Sequence, residues 1–290
     1  MNGLITKGVG GFYYVKTEQG TYQTRGRGIF RKTGMTLLVG DEVDFELLED
    51  GDGVINRILD RRNSFERPPI ANVEQFVVVA AFADPAPNFA VIDKFLIMTE
   101  RKGIKALLCF NKSDLASEEA EDSVKDRYRD AAPVLTVCGR TGEGLDKLLA
   151  QMEGKRTCFA GPSGVGKSTI TNRLVPYAKM ETGGVSRKTS RGRHTTRHVE
   201  LFELPGMEGS MVFDTPGFTS FDLKGIEPEE LADCYPEFRP FRGSCRFDDC
   251  RHIREPDCAV RDAVEQGRIN RDRYEGYTQF YQELMEKTRR

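Results

Sequence analysis

Four short stretches of this chain bring together residue types at spacings that can do chemistry. Gly161-Pro162-Ser163-Gly164-Val165-Gly166-Lys167-Ser168 fits GxxxxGK[ST], with the apolar run Thr157 to Ala160 before it and the helix-like segment Ser168 to Leu174, including Thr169, after it. Its glycines let the backbone curl around a phosphate with the amides inward, and the helix N-terminus adds positive potential. Lys167 would neutralise β- and γ-phosphate oxygens, and the Ser168 hydroxyl would ligate Mg²⁺. Asn111-Lys112-Ser113-Asp114 closes the apolar run Ala106 to Phe110. A carboxylate at Asp114 can accept from both the ring N1–H and the exocyclic amine of guanine, whereas adenine has no donors so arranged. The aliphatic stem of Lys112 would cover one face of the base. Asp214-Thr215-Pro216-Gly217 follows Met211 to Phe213, where Asp214 would support Mg²⁺ through water and the Gly217 amide would sense the γ-phosphate. The three motifs together indicate a GTP-binding unit.

The fourth stretch is of another kind. Cys245, Cys250, His252 and Cys258 form CxxxxCxHxxxxxC in a polar segment. Three thiolates and one imidazole satisfy tetrahedral Zn²⁺ with no open position, so a structural zinc ion is expected, with Cys234 the only competing ligand. Arg239, Arg242, Arg246, Arg251 and Arg254 surround this knuckle and predict a local positive patch suited to RNA backbone.

The elements that must position these residues change character along the chain. Over residues 1–66, short alternating segments separated by turns at Glu18-Gln19-Gly20 and Asp50-Gly51-Asp52-Gly53 predict four or five strands closing into a small barrel. Arg25, Arg27, Arg31 and Lys32 are expected there in an exposed loop, either solvated or touching phosphate. Arg67-Pro68-Pro69 marks a boundary. Over residues 67–223 continuous apolar runs (Phe76 to Phe82, Ala106 to Phe110, Thr157 to Ala160, Met211 to Phe213) alternate with helical segments such as Ala90 to Arg101 and Ser117 to Tyr128. That pattern predicts a parallel sheet buried on both faces by helices. Over residues 224–290 the strand pattern stops, and helices are expected over Cys258 to Gln266 and Asn270 to Lys287, the second with Tyr274, Tyr277, Tyr281 and Leu284 on a packing face.

Composition narrows the partners. The 290 residues hold 43 Lys+Arg against 45 Asp+Glu, a net charge of −2, which excludes polyanion binding by bulk charge and leaves only local patches. The longest apolar stretch, Phe76 to Ala83, falls far short of the about 20 residues of a membrane helix, and no signal-like N-terminus is present, so a cytoplasmic protein is expected. Of seven cysteines, Cys109, Cys138 and Cys158 sit in apolar runs and are expected in the core, and Cys234 is left without a role.

The motif order is unusual, because the base-reading motif at 111 precedes the phosphate loop at 161 and the Asp214 motif. A circular permutation keeps such a pocket, since the contacts gather at the carboxyl ends of parallel strands whichever comes first. It also starts the cysteine-rich segment just after the Asp214 loop, so that nucleotide state could pass directly into it. The order NKSD, GPSGVGKS, RGRHTT, DTPGF and CxxxxCxHxxxxxC resembles that of the RsgA family of permuted bacterial GTPases. The resemblance covers the whole chain. It implies an N-terminal OB-fold RNA-binding barrel, a circularly permuted α/β P-loop GTPase domain and a C-terminal helical zinc-binding domain. It also implies GTP/GDP, Mg²⁺ and one Zn²⁺, with the small ribosomal subunit and its 16S rRNA as partners, slow GTP hydrolysis that the subunit stimulates, a role late in its maturation, and no membrane or DNA partner. A monomer is expected. Two departures are visible: the loop that would contact the guanine O6 reads Val137-Cys138-Gly139-Arg140-Thr141-Gly142 rather than the commoner Ser-Ala form, leaving the O6 to an amide near Cys138 and Gly139. His194-Thr195-Thr196-Arg197 makes Thr195 or Thr196 the Mg²⁺-sensing threonine, with Thr196 taken as the ligand.

Hydrolysis needs a water in line with the γ-phosphate, yet Phe218 stands where many GTPases carry a glutamine. His194, in the polar segment Ser186 to Arg197, is the expected water-positioning residue. Arg187, Lys188, Arg191 and Arg193 beside it could be ordered by RNA phosphate. Two rival readings are an RNA-binding assembly factor that uses GTP mainly as a ligand and an ATP-dependent enzyme, the latter disfavoured by Asp114.

Overall fold

The computed structural model describes residues 1–49, 51–178, 199–218, 222–223 and 225–288, the side chains at 215–217 excepted. Five strands form the expected barrel: β1 (Asn2–Val9), β2 (Phe12–Thr17), β3 (Gly20–Gly26), β4 (Glu42–Leu47) and β5 (Gly53–Ile58). β1 pairs with β2 and β4, β2 with β3, and β4 with β5, all antiparallel, and a parallel β3–β5 pairing closes the cylinder. This is the OB-like order. Inward positions of the alternating strands, Ile5, Val15, Val43, Phe45 and Ile55, fill its core. The predicted basic loop is instead a short helix, α1 (Gly28–Lys32), in which Phe30 turns into the barrel while Arg31 and Lys32 stay exposed. Arg25 lies over the Phe12 ring and Arg27 pairs with Glu46.

A hairpin, β6 (Ser64–Glu66) with β7 (Pro69–Ala71), leads out of the barrel. The α/β unit follows as β8 (Gln75–Ala81), α2 (Phe89–Arg101), β9 (Lys105–Asn111), α3 (Glu118–Tyr128), β10 (Val134–Thr136), α4 (Leu145–Met152), β11 (Arg156–Ala160), α5 (Lys167–Leu174), β12 (Glu200–Glu203) and β13 (Met211–Phe218). Its sheet runs β10-β9-β8-β11-β13-β12, parallel except for antiparallel β12. The continuous apolar runs are buried on both faces. Phe76, Val78, Ala80 and Phe110 pack with Phe95 of α2 and Tyr128 of α3, while Val77, Val79, Leu107 and Phe159 pack with Leu148 of α4 and Ile170 of α5. β13 extends past the predicted run through the Asp214 motif to Phe218. Phe218 is buried edge-to-face against Phe65 of β6 and Phe76 of β8, with ring centroids 5.4 and 5.1 Å apart.

The barrel abuts the edge of this sheet. β1 meets β12 through one register pair, Lys7 with Glu200, while Arg156 of β11 reaches Glu42 of β4 at 2.9 Å and Lys16 pairs with Glu203. Gly40 lies against the Ala71 carbonyl with φ +93°, and a Cβ there would stand 2.1 Å from that oxygen and 3.0 Å from Phe213.

The C-terminal unit holds two 3₁₀ turns, Pro228–Cys234 and Pro236–Phe238, then α6 (Ala259–Glu265) and α7 (Arg271–Thr288). Leu223, Ile226, Leu231, Tyr235, Phe238, Val260, Tyr277, Phe280 and Leu284 form its core together with Ile97 of α2, and Cys234 is buried there as a packing residue. The docking surface against the α/β unit contains buried charge. The Arg273 guanidinium lies 2.6 Å from Asp93 of α2 and 2.8 Å from Glu237, all three almost wholly buried, and the Tyr128 hydroxyl donates to Asp93 at 2.9 Å. Nothing in the sequence pattern singled out this cluster. Among the described residues no helix is long and apolar enough to cross a membrane.

Candidate functional site

The three nucleotide motifs meet at the carboxyl ends of β9, β11 and β13 because the parallel strands β8, β9 and β11 lie side by side, with β13 next to β11. Asn111, the last residue of β9 and buried, is the strut between them. Its Nδ2 donates to the Val165 carbonyl of the phosphate loop at 2.8 Å, and its Oδ1 accepts from the Gly139 amide at 2.8 Å. Gly166 has φ +96°, and a Cβ on it would stand 2.2 Å from Asn111 Nδ2, so only glycine admits the strut. The loop from Gly161 through Pro162, Ser163 and Gly164 begins where the Gly161 amide donates to the Phe218 carbonyl at 2.8 Å, which fastens it to the end of β13. Lys167, Ser168 and Thr169 open α5.

Lys167 Nζ donates to the Gly161 and Pro162 carbonyls at 2.7 and 2.6 Å, and burial lowers its pKa to about 8. A desolvated ammonium inside a ring of backbone groups gains most from an anionic oxygen in that ring. Asp114 stands at the mouth of the site with both oxygens held. The Cys138 thiol donates to Oδ1 at 3.1 Å and Arg140 donates to Oδ2 at 2.8 Å, and these two bonds, the thiol's first, hold its carboxyl below the usual range. Lys112 adopts left-handed backbone (φ 62°), its Nζ reaching the Asp84 carbonyl, and Ser113 donates its amide to Val137. The two amides expected near guanine O6 are already engaged, Cys138 with the Glu143 carbonyl and Gly139 with Asn111. Among the described residues no acceptor takes the Arg140 amide, one step further on. The sequence placed Arg140 in the loop facing guanine O6 but did not reveal its bond to Asp114.

Asp214 lies within β13, directly across from Glu200 of β12, and Gly217 lies in the same strand. Burial, and after it the Glu200 charge, raise the Asp214 carboxyl above its ordinary value. Among the described residues no cation pairs with it. A partly buried carboxylate beside another acid, next to the Ser168 hydroxyl's helix and the phosphate loop, is a donor set that fits a hydrated Mg²⁺. His194, Thr195 and Thr196, with Arg187, Lys188, Arg191 and Arg193, lie outside the described residues.

In the C-terminal unit the ligand atoms of Cys245, Cys250, His252 and Cys258 all lie within 4.8 Å of one another. Cys245 Sγ is 3.6 Å and Cys258 Sγ 3.4 Å from His252 Nδ1, and the two sulfurs are 4.0 Å apart. Zn–S and Zn–N bonds of about 2.3 and 2.0 Å place tetrahedral ligands about 3.5–3.8 Å apart, so the donor set fits zinc. Burial pushes the Cys250 thiol up to about 12 and lowers the His252 imidazole, which are the penalties a bound cation removes. The knuckle's backbone is tied by contacts the sequence did not reveal. Glu255 accepts from the amides of Arg251, Ile253 and Arg254 at 2.8, 2.9 and 3.0 Å, and the Tyr277 and Tyr274 hydroxyls donate to the Arg251 and His252 carbonyls. The predicted positive patch is largely neutralised: Arg239 pairs with Glu100, Arg242 with Asp233, Arg246 with Asp257 and Arg251 with Glu229.

A family profile described as RsgA GTPase matches residues 58–224, and one described as the RsgA N-terminal domain matches residues 2–55. The chain belongs to the RsgA GTPase family. It is 42% identical over 298 residues to the "Small ribosomal subunit biogenesis GTPase RsgA" of Agathobacter rectalis, covering 98% of each chain. It is 44% identical over 286 residues to the protein of that name from Carboxydothermus hydrogenoformans, again covering 98% of each. Two crystal structures share the fold. YjeQ from Thermotoga maritima matches with a TM-score of 0.84 at 33% identity over 98% of each chain. YloQ, described as a circularly permuted GTPase, matches with a TM-score of 0.82 at 36% identity over 99% of this chain and 95% of that one. As an RsgA GTPase, the chain is a permuted α/β GTPase with an OB-like barrel before it and a Cys₃His knuckle after it.

Proposed function

We propose that this RsgA GTPase binds GTP and GDP with Mg²⁺ in the cradle joined by Asn111, hydrolyses GTP, and acts in late maturation of the small ribosomal subunit by contacting its 16S rRNA. The observation that carries the reading is the Asn111 strut, which ties the base-reading motif to the phosphate loop. Gly161 through Thr169 would surround the phosphates, with the Lys167 ammonium leaving the Gly161 and Pro162 carbonyls for phosphate oxygen. Asp114 would accept from guanine N1–H and the exocyclic amine as Arg140 withdraws, and Lys112 would lie along the base. The guanine O6 would take either the Gly139 amide, shared with Asn111, or the free Arg140 amide. Mg²⁺, when bound through Ser168 and Thr196 with Asp214 acting through water, supplies charge neutralisation for the transferred phosphoryl group. His194 would orient the attacking water, because Phe218 is buried among aromatic rings and has no group to do so. Thr195 is the other candidate to sense Mg²⁺, and the Gly217 amide would sense the γ-phosphate.

Cys245, Cys250, His252 and Cys258 would hold one structural zinc ion. The units we propose run over residues 1–66, 67–223 and 224–290, in a monomer that works in the cytoplasm. GTP would favour the subunit-bound state, and hydrolysis would release it. The test is steady-state GTP hydrolysis alone and with purified small subunits, large subunits or free rRNA. Stimulation confined to small subunits and lost in His194→Ala is expected. Equal stimulation by large subunits would overturn the partner, and retained stimulation in His194→Ala would overturn the catalytic role.

A further inference from the structure

The short β1–β12 ladder between the barrel and the α/β sheet falls in register with the Asp214 motif. Lys7 of β1 stands opposite Glu200 of β12, and Glu200 stands opposite Asp214 of β13. Directly opposed residues on neighbouring antiparallel strands project from the same face, so the three side chains form one row, cation–acid–acid, from the barrel to the proposed Mg²⁺ site. Lys7 Nζ lies 2.8 Å from Glu200 Oε2. Two acids facing each other across strands repel one another unless a cation is near. Here one cation comes from the barrel at the outer end of the row, and among the described residues Asp214 at the inner end has none.

We propose that Lys7 and Glu200 are positioning residues through which the seating of the barrel sets the affinity of the nucleotide site for Mg²⁺, an inference that rests on the reading of Asp214 given above. With the barrel seated, Lys7 cancels much of the Glu200 charge that Asp214 faces. When the barrel is drawn away from β12, Lys7 leaves with it, Glu200 stands uncompensated, and the row attracts a divalent cation more strongly. A ligand that engages the barrel thus alters Mg²⁺ retention, and with it nucleotide release, without touching the phosphate loop. Lys7 and Glu200 are both partly exposed, with side chains 37% and 30% accessible, so their charges can be changed without opening the core.

The experiment follows dissociation of a fluorescent GDP analogue from the full-length protein as free Mg²⁺ is varied, in wild type, Lys7→Gln, Glu200→Gln and the exchanged pair Lys7→Glu/Glu200→Lys. Lys7→Gln should lower the Mg²⁺ concentration for half-maximal retention several-fold, and Glu200→Gln should raise it several-fold. The exchanged pair should raise it at least as much as Glu200→Gln, because it rebuilds the ion pair while placing a cation next to Asp214. If the pair were only a mechanical joint, both single variants would shift together and the exchanged pair would match wild type. That result, or identical Mg²⁺ dependence in all four proteins, overturns the proposal. GDP retention by wild type that ignores Mg²⁺ altogether would instead overturn the reading of the site itself.

Discussion

The α/β unit carries a neighbour on each side, and both junctions have apolar packing but differ in how deeply their charges are buried. On the barrel side the charges sit at the rim: Lys7 with Glu200, Lys16 with Glu203, and Arg156 with Glu42, each with at least one partner open to water. On the C-terminal side Asp93, Arg273 and Glu237 are desolvated beneath the packing of α2 and α7. Exposed pairs are weak and salt-sensitive. Buried ones are costly to form and more costly to break singly. The ion pairs of the barrel junction are therefore open to screening, although barrel and α/β unit share one buried apolar cluster, whereas the Arg273 cluster is shielded from water. Nucleotide state reaching the C-terminal unit through Leu223 and Ile226, both in its core, would move the unit together with α2.

The largest expected effect tests that contrast directly. Asp93→Ala leaves the buried Arg273 guanidinium with Glu237 alone and takes the acceptor from the Tyr128 hydroxyl, and should cost about 3–5 kcal/mol in urea unfolding. Replacing Asp93, Arg273 and Glu237 together with Leu, Met and Leu should recover most of it, and a loss under about 1 kcal/mol from Asp93→Ala would erase the difference between the junctions. Gly40→Ala probes a close-packed point of the barrel side. Its positive φ alone costs about 1–3 kcal/mol, and the contact with the Ala71 carbonyl adds to this, so the melting temperature should fall while zinc content stays unchanged. Between the junctions, Lys167 predicts a pH effect on the nucleotide site. Burial leaves it largely neutral above pH about 8 in the free protein, whereas phosphate oxygens favour its charged form. GDP affinity should be level below about pH 8 and fall by up to about tenfold per unit above it, and a level profile in binding titrations up to about pH 9.5 would contradict its placement among phosphates. Smallest of all, Lys16→Ala should change stability by less than about 1 kcal/mol, and high salt should shrink even that.

What the sequence disclosed follows from the range of the forces involved. The strands β8, β9, β11 and β13, the helices α2, α3, α5 and α7, and the four motifs are local patterns, legible because each lies within one stretch of chain. β1, β10 and β12 were not. β10 and β12 are only three and four residues long and are held by their neighbours, and β1 lacks clean alternation. The Arg273 cluster joins residues 36 apart, Glu237 and Arg273, to Asp93 much earlier in the chain, and no spacing rule connects them. The arginines around the knuckle read as a positive patch because no spacing rule pairs them with their acids, of which Glu100 lies 139 residues from Arg239 while Asp233, Glu229 and Asp257 are in the C-terminal unit itself. The Tyr274 and Tyr277 stripe was legible as packing, but its hydroxyls, which hold the knuckle's carbonyls, were not.

The Asn111 strut also has a consequence for the order in which the pocket can come into being. Asn111 and Val165 are 54 residues apart, and the permuted order places the base-reading half first. While this chain is being synthesised, the guanine-reading residues emerge well before any phosphate loop exists for them to be tied to. The incomplete chain therefore has no means of capturing nucleotide until β11 and the start of α5 have followed, and newly made protein enters the cell's GTP pool only once most of its α/β unit has been translated.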